Sequence, residues 1–341
     1  MKKFGRFLLT LLKWAVLTLV LLEILCFLLI TVSNLMLFGS IWKGSQVHYD
    51  PYAQYLNVKG VRPTAHNAPE QEGQPARHIW MLGGSTTRCE GVPHEQSIAS
   101  YLSQRLNASG QGQPVVVANF GENTFNSVME AKYLQKLLMD SPRPPDLVIF
   151  YDGANDCIYF NEYRLPHAHY AYRRLQGPIE SYRGSFLGLF KPFTAALYSS
   201  YTFETCDRLR QGIVPLTEDD PALLSMRGAI KRRYDHLQRL AAAYGAKFIV
   251  FWQPLMWVET GRRDRGGGLI NARFHNFKEN FGKCYDAVAA DLEKEPYFVN
   301  FQNILLSRQE PVYDADGVHL NGVGNRLVAE AMARVLVERG W

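Results

Sequence analysis

The sequence predicts an α/β fold: a three-layer α/β/α sandwich around a central parallel sheet, preceded by one N-terminal transmembrane helix. Three observations carry this. Five short runs, at 79–82, 115–120, 147–151, 247–252 and 297–300, are mostly apolar along their whole length, as strands buried on both faces are. Amphipathic segments of helix length lie between them, the pattern of parallel strands joined by crossover helices. Ahead of both stands an apolar stretch from about Trp14 to Phe38, long enough to cross a bilayer, which takes ~20 residues.

Taken in order, the chain opens with Lys2, Lys3, Arg6 and Lys13, and only Lys43 follows the apolar stretch closely. The positive-inside rule then makes residues 1–44 a cytoplasmic stub and anchor, and puts everything after Ser40 in the periplasm or outside the cell. A cleaved signal peptide is the alternative, though its apolar region spans only ~7 to 15 residues and ends at a small-x-small site, which is not evident here. Glu23 sits inside the apolar run, and the simple expectation is a protonated or snorkelling carboxyl. Residues 45–77, rich in Pro, Gly, Gln and Asn, read as an arm and a linker. The main domain is expected at 78–341, with helices near 95–106, 127–139, 226–244, 271–292 and 322–339. One stretch, about 157–225, lacks the alternation and is rich in Tyr and Arg; a long insertion in a compact domain is more often a lid or binding loop than idle chain.

Charge narrows the function classes. The formal net charge is +5 over 341 residues. Most of it lies in the anchor, so the remainder is nearly neutral and lacks the basic face of a nucleic-acid binder. Five cysteines are present, Cys26 in the apolar run and Cys89, Cys157, Cys206 and Cys284 beyond it. An even external set in an oxidising compartment permits two disulfides, with Cys89–Cys157 and Cys206–Cys284 the preferred pairs and reduced, buried thiols the alternative. No pair has the spacing of a zinc site, and His167 and His169 have no carboxylate or thiol at ligand spacing, so no metal and no cofactor is expected.

In an open parallel sheet, ligands bind beyond the carboxyl ends of the strands. Gly83-Gly84-Ser85 follows the first strand, Asn119-Phe120-Gly121 the second and Gly153-Ala154-Asn155-Asp156 the third, while Asp316-Gly317-Val318-His319 precedes the last helix. A serine on a glycine turn is exposed enough to act as a nucleophile. An Asp and a His three residues apart can serve as its orienting acid and its base. Asp314 is the rival acid at a different spacing. There is no GxSxG elbow and no Gly-Lys-Ser/Thr phosphate loop.

These blocks resemble the SGNH hydrolases, also called the GDSL family, whose four motifs carry Ser, Gly, Asn and His; here they match Ser85, Gly121, Asn155 and His319, with Asp316 before the histidine. The resemblance spans about residues 79–337 and implies a flavodoxin-like, SGNH-type sheet. It also implies a mechanism. Ser85 attacks an ester carbonyl, His319 is general base and then acid, and Asp316 orients it. The oxyanion is held by the backbone N–H of Ser85 and Gly121 and the amide of Asn155. The family's usual Asp after the first motif glycine is Gly84 in this chain. The function expected is that of a membrane-anchored, envelope-facing esterase or acyltransferase for O-acyl, chiefly O-acetyl, groups of a carbohydrate. A lipase or lysophospholipase, or a silent glycan-binding subunit with polysaccharide-assembly partners, are the alternatives.

Overall fold

The computed structural model describes residues 2–38, 47–69, 75–108, 113–170, 172, 175–176, 179, 196–198, 200–210, 214–259 and 275–341. The chain divides into two compact units, one made of Met1–Gly44 with Ala171–Gly212 and the other of Ser45–Tyr170 with Ile213–Trp341.

The larger unit starts with a hairpin not expected from the sequence, β1 (Val47–Asp50) antiparallel to β2 (Gln54–Asn57). Its turn is held by Asp50, whose Oδ1 accepts from the N–H of Tyr52 and Ala53. Next comes the sheet: β3 (Arg77–Gly83), β4 (Val115–Asn119), β5 (Leu147–Asp152), β6 (Lys247–Trp252) and β7 (Phe298–Asn300), each within two residues of its expected bounds. All neighbours are parallel, in the order β4-β3-β5-β6-β7. The order reverses between β3 and β5, and such a switch point opens a crevice at the carboxyl ends of the strands.

The uniformly apolar runs are explained by what covers the two faces. Ile79, Met81, Val117, Ile149 and Phe251 join one core with Ile98 and Leu102 of α3 (Ile98–Asn107) and Val328 and Met332 of α9 (Gly322–Glu338). The other residues of the same strands meet aromatic partners instead. Phe150 and Phe248 pack on Tyr234 of α7 (Pro221–Ala243), and Trp252 on Tyr285 of α8 (His275–Leu292), while Tyr133 of α4 (Ser127–Asp140) meets Phe120. Every residue of β5 is buried. Full burial of one such side chain stabilises the fold by about 1.5–3 kcal/mol, so both faces must be apolar and the strands lose the alternation of a half-exposed sheet.

A short helix, α2 (Ser85–Arg88), follows β3, and α5 (Ala154–Tyr163) follows β5 and runs through Cys157, where the insertion was expected to begin. Most of the expected insertion between 171 and 199 lies outside the described residues.

The expected disulfides do not form: all five cysteines are free. Cys89 is buried in the core beside β3 and α3, whereas Cys157 lies on α5 with its Sγ 3.3 Å from that of Cys284 on α8. Cys206 is exposed. The two thiols that meet are thus brought together by the packing of α5 on α8, a contact the linear order did not signal.

In the smaller unit α1 (Lys2–Phe38) includes an apolar span, Lys3–Val32, long enough to cross a membrane. Beside it lies α6 (Tyr201–Arg210). Glu23 accepts hydrogen bonds there from the backbone N–H of Tyr201 and Thr202.

Candidate active site

The site is assembled at the carboxyl edge of β3, β4 and β5. β3 ends at Gly83, Gly84 caps α2 and Ser85 is its first residue. The first N–H groups of a helix have no partner within it, so the Ser85 N–H belongs to a set of free donors facing out of the turn. Gly84 is required by a close approach. A Cβ there would lie 2.6 Å from Nδ2 of Asn155 and 2.9 Å from the Phe125 carbonyl oxygen.

The acid and base arrive on the loop between Tyr313 and Leu320, which form an antiparallel bridge. The N–H of Asp314 donates to the His319 carbonyl (2.8 Å), so Asp314 closes the loop, while Asp316 meets the imidazole. Asp316 Oδ2 lies 2.6 Å from His319 Nδ1, and His319 Nε2 lies 2.8 Å from Ser85 Oγ. The other carboxylate oxygen of Asp316 accepts from the N–H of Val318 and of His319, both at 2.9 Å. Burial alone would raise the Asp316 carboxyl, but the hydrogen bond and charge of His319 and these two backbone donors hold it at about 2. It is therefore an anion at any ordinary pH. Directly behind the loop, Asn321 caps α9 by accepting from the N–H of Val323 and Gly324, which fixes the start of the helix two residues after His319.

The expected oxyanion donors are arranged unequally. Asn155, second residue of α5, donates through Nδ2 to the Phe125 carbonyl at 2.6 Å; an amide has two N–H bonds, so one remains. The N–H of Gly121 is occupied by Asn119 Oδ1 at 2.9 Å. Gly121 packs so closely on α2 that a Cβ there would lie 2.4 Å from the Arg88 nitrogen. The structure therefore gathers Ser85, Asp316 and His319 into one hydrogen-bonded chain and sets Asn155 against Gly84, while Gly121 packs on α2 with its N–H turned to Asn119.

Several residues not singled out by the sequence pattern hold these loops. Asn119 also donates to the Thr87 carbonyl (2.8 Å), tying the ends of β3 and β4 together. An Asn closing an apolar strand was the available signal. Thr86 donates to Gln253 Oε1 at the end of β6. Trp257 packs on Gly317, where a Cβ would lie 2.6 Å from its Nε1. Beneath Asn155, Asp156 accepts from the N–H and hydroxyl of Ser127 and pairs with Arg233 at 3.5 Å, while Asp152 accepts from Tyr234. Burial raises Glu130, Asp152 and Asp156 together, and Arg233 opposes it.

His169 is buried, and desolvation reinforced by Lys132 lowers it to about 4; His167 contacts Arg233 instead. Among the described residues no group of His, Cys, Asp and Glu is arranged to hold a metal.

The geometry is that of a hydroxyl aligned to an imidazole and a buried-edge carboxylate, an arrangement able to generate an oxygen nucleophile. The chain matches the family described as GDSL-like Lipase/Acylhydrolase over residues 79–332. It belongs to this family. GDSL-like, or SGNH, hydrolases are serine esterases and acylhydrolases, and the chain is an enzyme of that class. Solved structures are similar to it at low identity. TesA has 17% identity and a TM-score of 0.41, covering 76% of this chain and 98% of its own. The lipase/acylhydrolase from Enterococcus faecalis has 17% identity and a TM-score of 0.41, covering 77% and 97%. The acetyl xylan esterase AlAXEase has 14% identity and a TM-score of 0.41, covering 76% and 99%. Among curated proteins no match is found.

Proposed function

We propose that this GDSL-like hydrolase uses Ser85, His319 and Asp316 as a catalytic triad to cleave or transfer O-acyl groups, chiefly O-acetyl, on a carbohydrate of the cell envelope. The observation that carries the reading is the continuous chain Asp316–His319–Ser85, with contacts of 2.6 and 2.8 Å. His319 Nε2 takes the Ser85 proton as Oγ bonds to the ester carbonyl carbon, and the carbonyl electrons move to oxygen. The Ser85 N–H and the remaining N–H of Asn155 are the donors for that oxyanion, with Gly121 joining if its bond to Asn119 is shared. Collapse breaks the bond to the departing alkoxide, which takes the proton back from His319 and leaves acyl-Ser85. Water, or a sugar hydroxyl, then repeats the sequence in reverse.

A carbohydrate is favoured by the setting. An anchored domain on the outer side of the membrane meets envelope glycans, and the tyrosines and arginines of the 157–225 stretch suit sugar hydroxyls and carboxylates. The test is mass spectrometry of the Ser85 peptide after exposure to an acetyl ester, with and without envelope polysaccharide. An acetyl group on Ser85, absent in Ser85→Ala and discharged faster by an acceptor glycan, is expected. Turnover by Ser85→Ala at the wild-type rate would sink the reading.

A further inference from the structure

Two thiols meet just past Asn155. The Sγ atoms of Cys157 on α5 and Cys284 on α8 lie 3.3 Å apart, although the residues are 127 positions apart in sequence, and neither side chain is exposed to solvent. The Met226 sulfur of α7 lies 3.3 Å from that of Cys284. Cys89 is placed differently, its thiol donating to the Thr86 carbonyl at 2.9 Å, and Cys206 is exposed. The four cysteines beyond the anchor thus sort into one facing pair and two single thiols.

The helices that carry the pair are held together by further contacts. A Cβ at Gly153, the N-cap of α5, would lie 2.6 Å from the Tyr285 hydroxyl oxygen. Tyr285, the residue after Cys284, donates that hydroxyl to the Gln253 carbonyl just past β6. An S–S bond is about 2.05 Å long, so each sulfur has to move by roughly 0.6 Å from its place here, which a small rotation about Cα–Cβ supplies. The triad and the oxyanion donors make no use of the pair, and a core asks of a buried cysteine only that it pack as a small hydrophobe. Two of them set sulfur to sulfur, on elements far apart in sequence, are the arrangement a cross-link needs.

We infer that Cys157 and Cys284 are a disulfide site: outside the cytoplasm the chain carries a Cys157–Cys284 bond that staples α5, with Asn155 on its first turn, to α8. The inference rests on the proposed placement of the domain in an oxidising compartment, where disulfides persist, and is independent of the triad. The oxidant is a protein disulfide of the thiol-oxidase class. The thiolate of one cysteine attacks it, forming a mixed disulfide and releasing the first oxidant sulfur as a thiolate; the thiolate of the other then displaces the second oxidant sulfur and closes the S–S bond. Two electrons and two protons pass to the oxidant, which leaves as a dithiol. Burial pushes the Cys157 thiol up and makes it a poor nucleophile once folded, so the exchange belongs to the folding chain, before α8 closes over α5.

The test uses the full-length protein taken from membranes without reductant, unfolded in the presence of iodoacetamide, digested and read by mass spectrometry. A peptide pair joined through Cys157 and Cys284 is expected, with Cys89 alkylated in the same sample. In the same cells, protease added to spheroplasts reports where the domain lies. Cys157 and Cys284 both alkylated in a protease-accessible domain overturn the disulfide alone; both alkylated in a protected domain overturn the disulfide and the placement together. A second measurement follows thermal unfolding in detergent. Cys157→Ala and Cys284→Ala are each expected to lower the midpoint by on the order of 10 °C, and the double variant by little more. Reductant should bring the wild type down to the variants and leave the variants where they are. A wild-type midpoint that reductant does not move removes the staple.

Discussion

At the residue scale the proposed mechanism depends on a proton path through one imidazole. Asp316 accepts from Nδ1, so the Nε2 lone pair faces Ser85. Asp316→Asn keeps the loop but favours the opposite tautomer, and kcat/KM is expected to fall about 1,000- to 10,000-fold while KM changes little. A variant within tenfold of wild type in steady-state ester hydrolysis would remove Asp316 from the triad. Because Asp316 is held at about 2, it stays ionised on mild acidification. Histidine is the side chain that ordinarily titrates between about pH 5 and 8. A base that already holds a proton cannot accept the one from Ser85, so activity is expected to fall on acidification, and a flat profile would contradict the assigned base. Gly84 makes a separate prediction: Gly84→Ala sets a methyl against Asn155 Nδ2 and the Phe125 carbonyl. Displacing one oxyanion donor costs on the order of 100- to 1,000-fold in kcat. The loss should be close to that of Asn155→Ala, and the double variant should add little, since both act through one amide.

At the scale of elements, the parts most legible in the sequence were those whose chemistry is repetitive. The strands were marked by runs apolar on both faces, and α9 by an amphipathic segment of helix length at 322–339. The hairpin was not legible because β1 is only four residues long and its two apolar side chains, Val47 and Tyr49, are exposed, so it buries no apolar face. It nevertheless bears on the site. The Asn57 N–H donates to Glu122 Oε2 at 3.0 Å, and the Glu122 N–H donates to the Gly83 carbonyl at 2.9 Å, linking hairpin, Gly121 loop and nucleophile turn. Burial pushes the Glu122 carboxyl up to about 7, against the opposing Arg88 charge and the Asn57 N–H. An acid raised in the folded state holds a proton that the unfolded chain has released, so between its ordinary value of 4.5 and about 7 stability falls as pH rises. The decline is expected to be on the order of 3 kcal/mol. Glu122→Gln carries no titrating group, and its thermal stability in detergent should vary less over that range. An unchanged slope in the variant would assign the dependence to other groups, such as Asp152 with Glu130.

For the molecule as a whole, the sequence indicated the four site blocks but not the pairing of thiols, and the reason is physical. Strand ends at a switch point converge whatever the chain length between them, whereas Cys157 and Cys284 meet only because α5 packs on α8. The same limit applies to Glu23: composition marks it as a charge in an apolar run, and only folding brings it the N-terminus of α6. What composition does predict at this scale is orientation. Lys2, Lys3, Arg6 and Lys13 precede the apolar span and one lysine, Lys43, comes closely after it. Basic flanks stay in the cytoplasm, and on that rule we propose that the stub lies inside and the Ser85 site outside. Protease added to spheroplasts should therefore degrade the catalytic domain while the cell remains sealed, leaving a fragment of anchor size that carries the N-terminus. A cleaved leader would leave no such fragment and would release the domain without protease. Protection of the domain until lysis would invert the topology, and an envelope glycan could then no longer be the substrate.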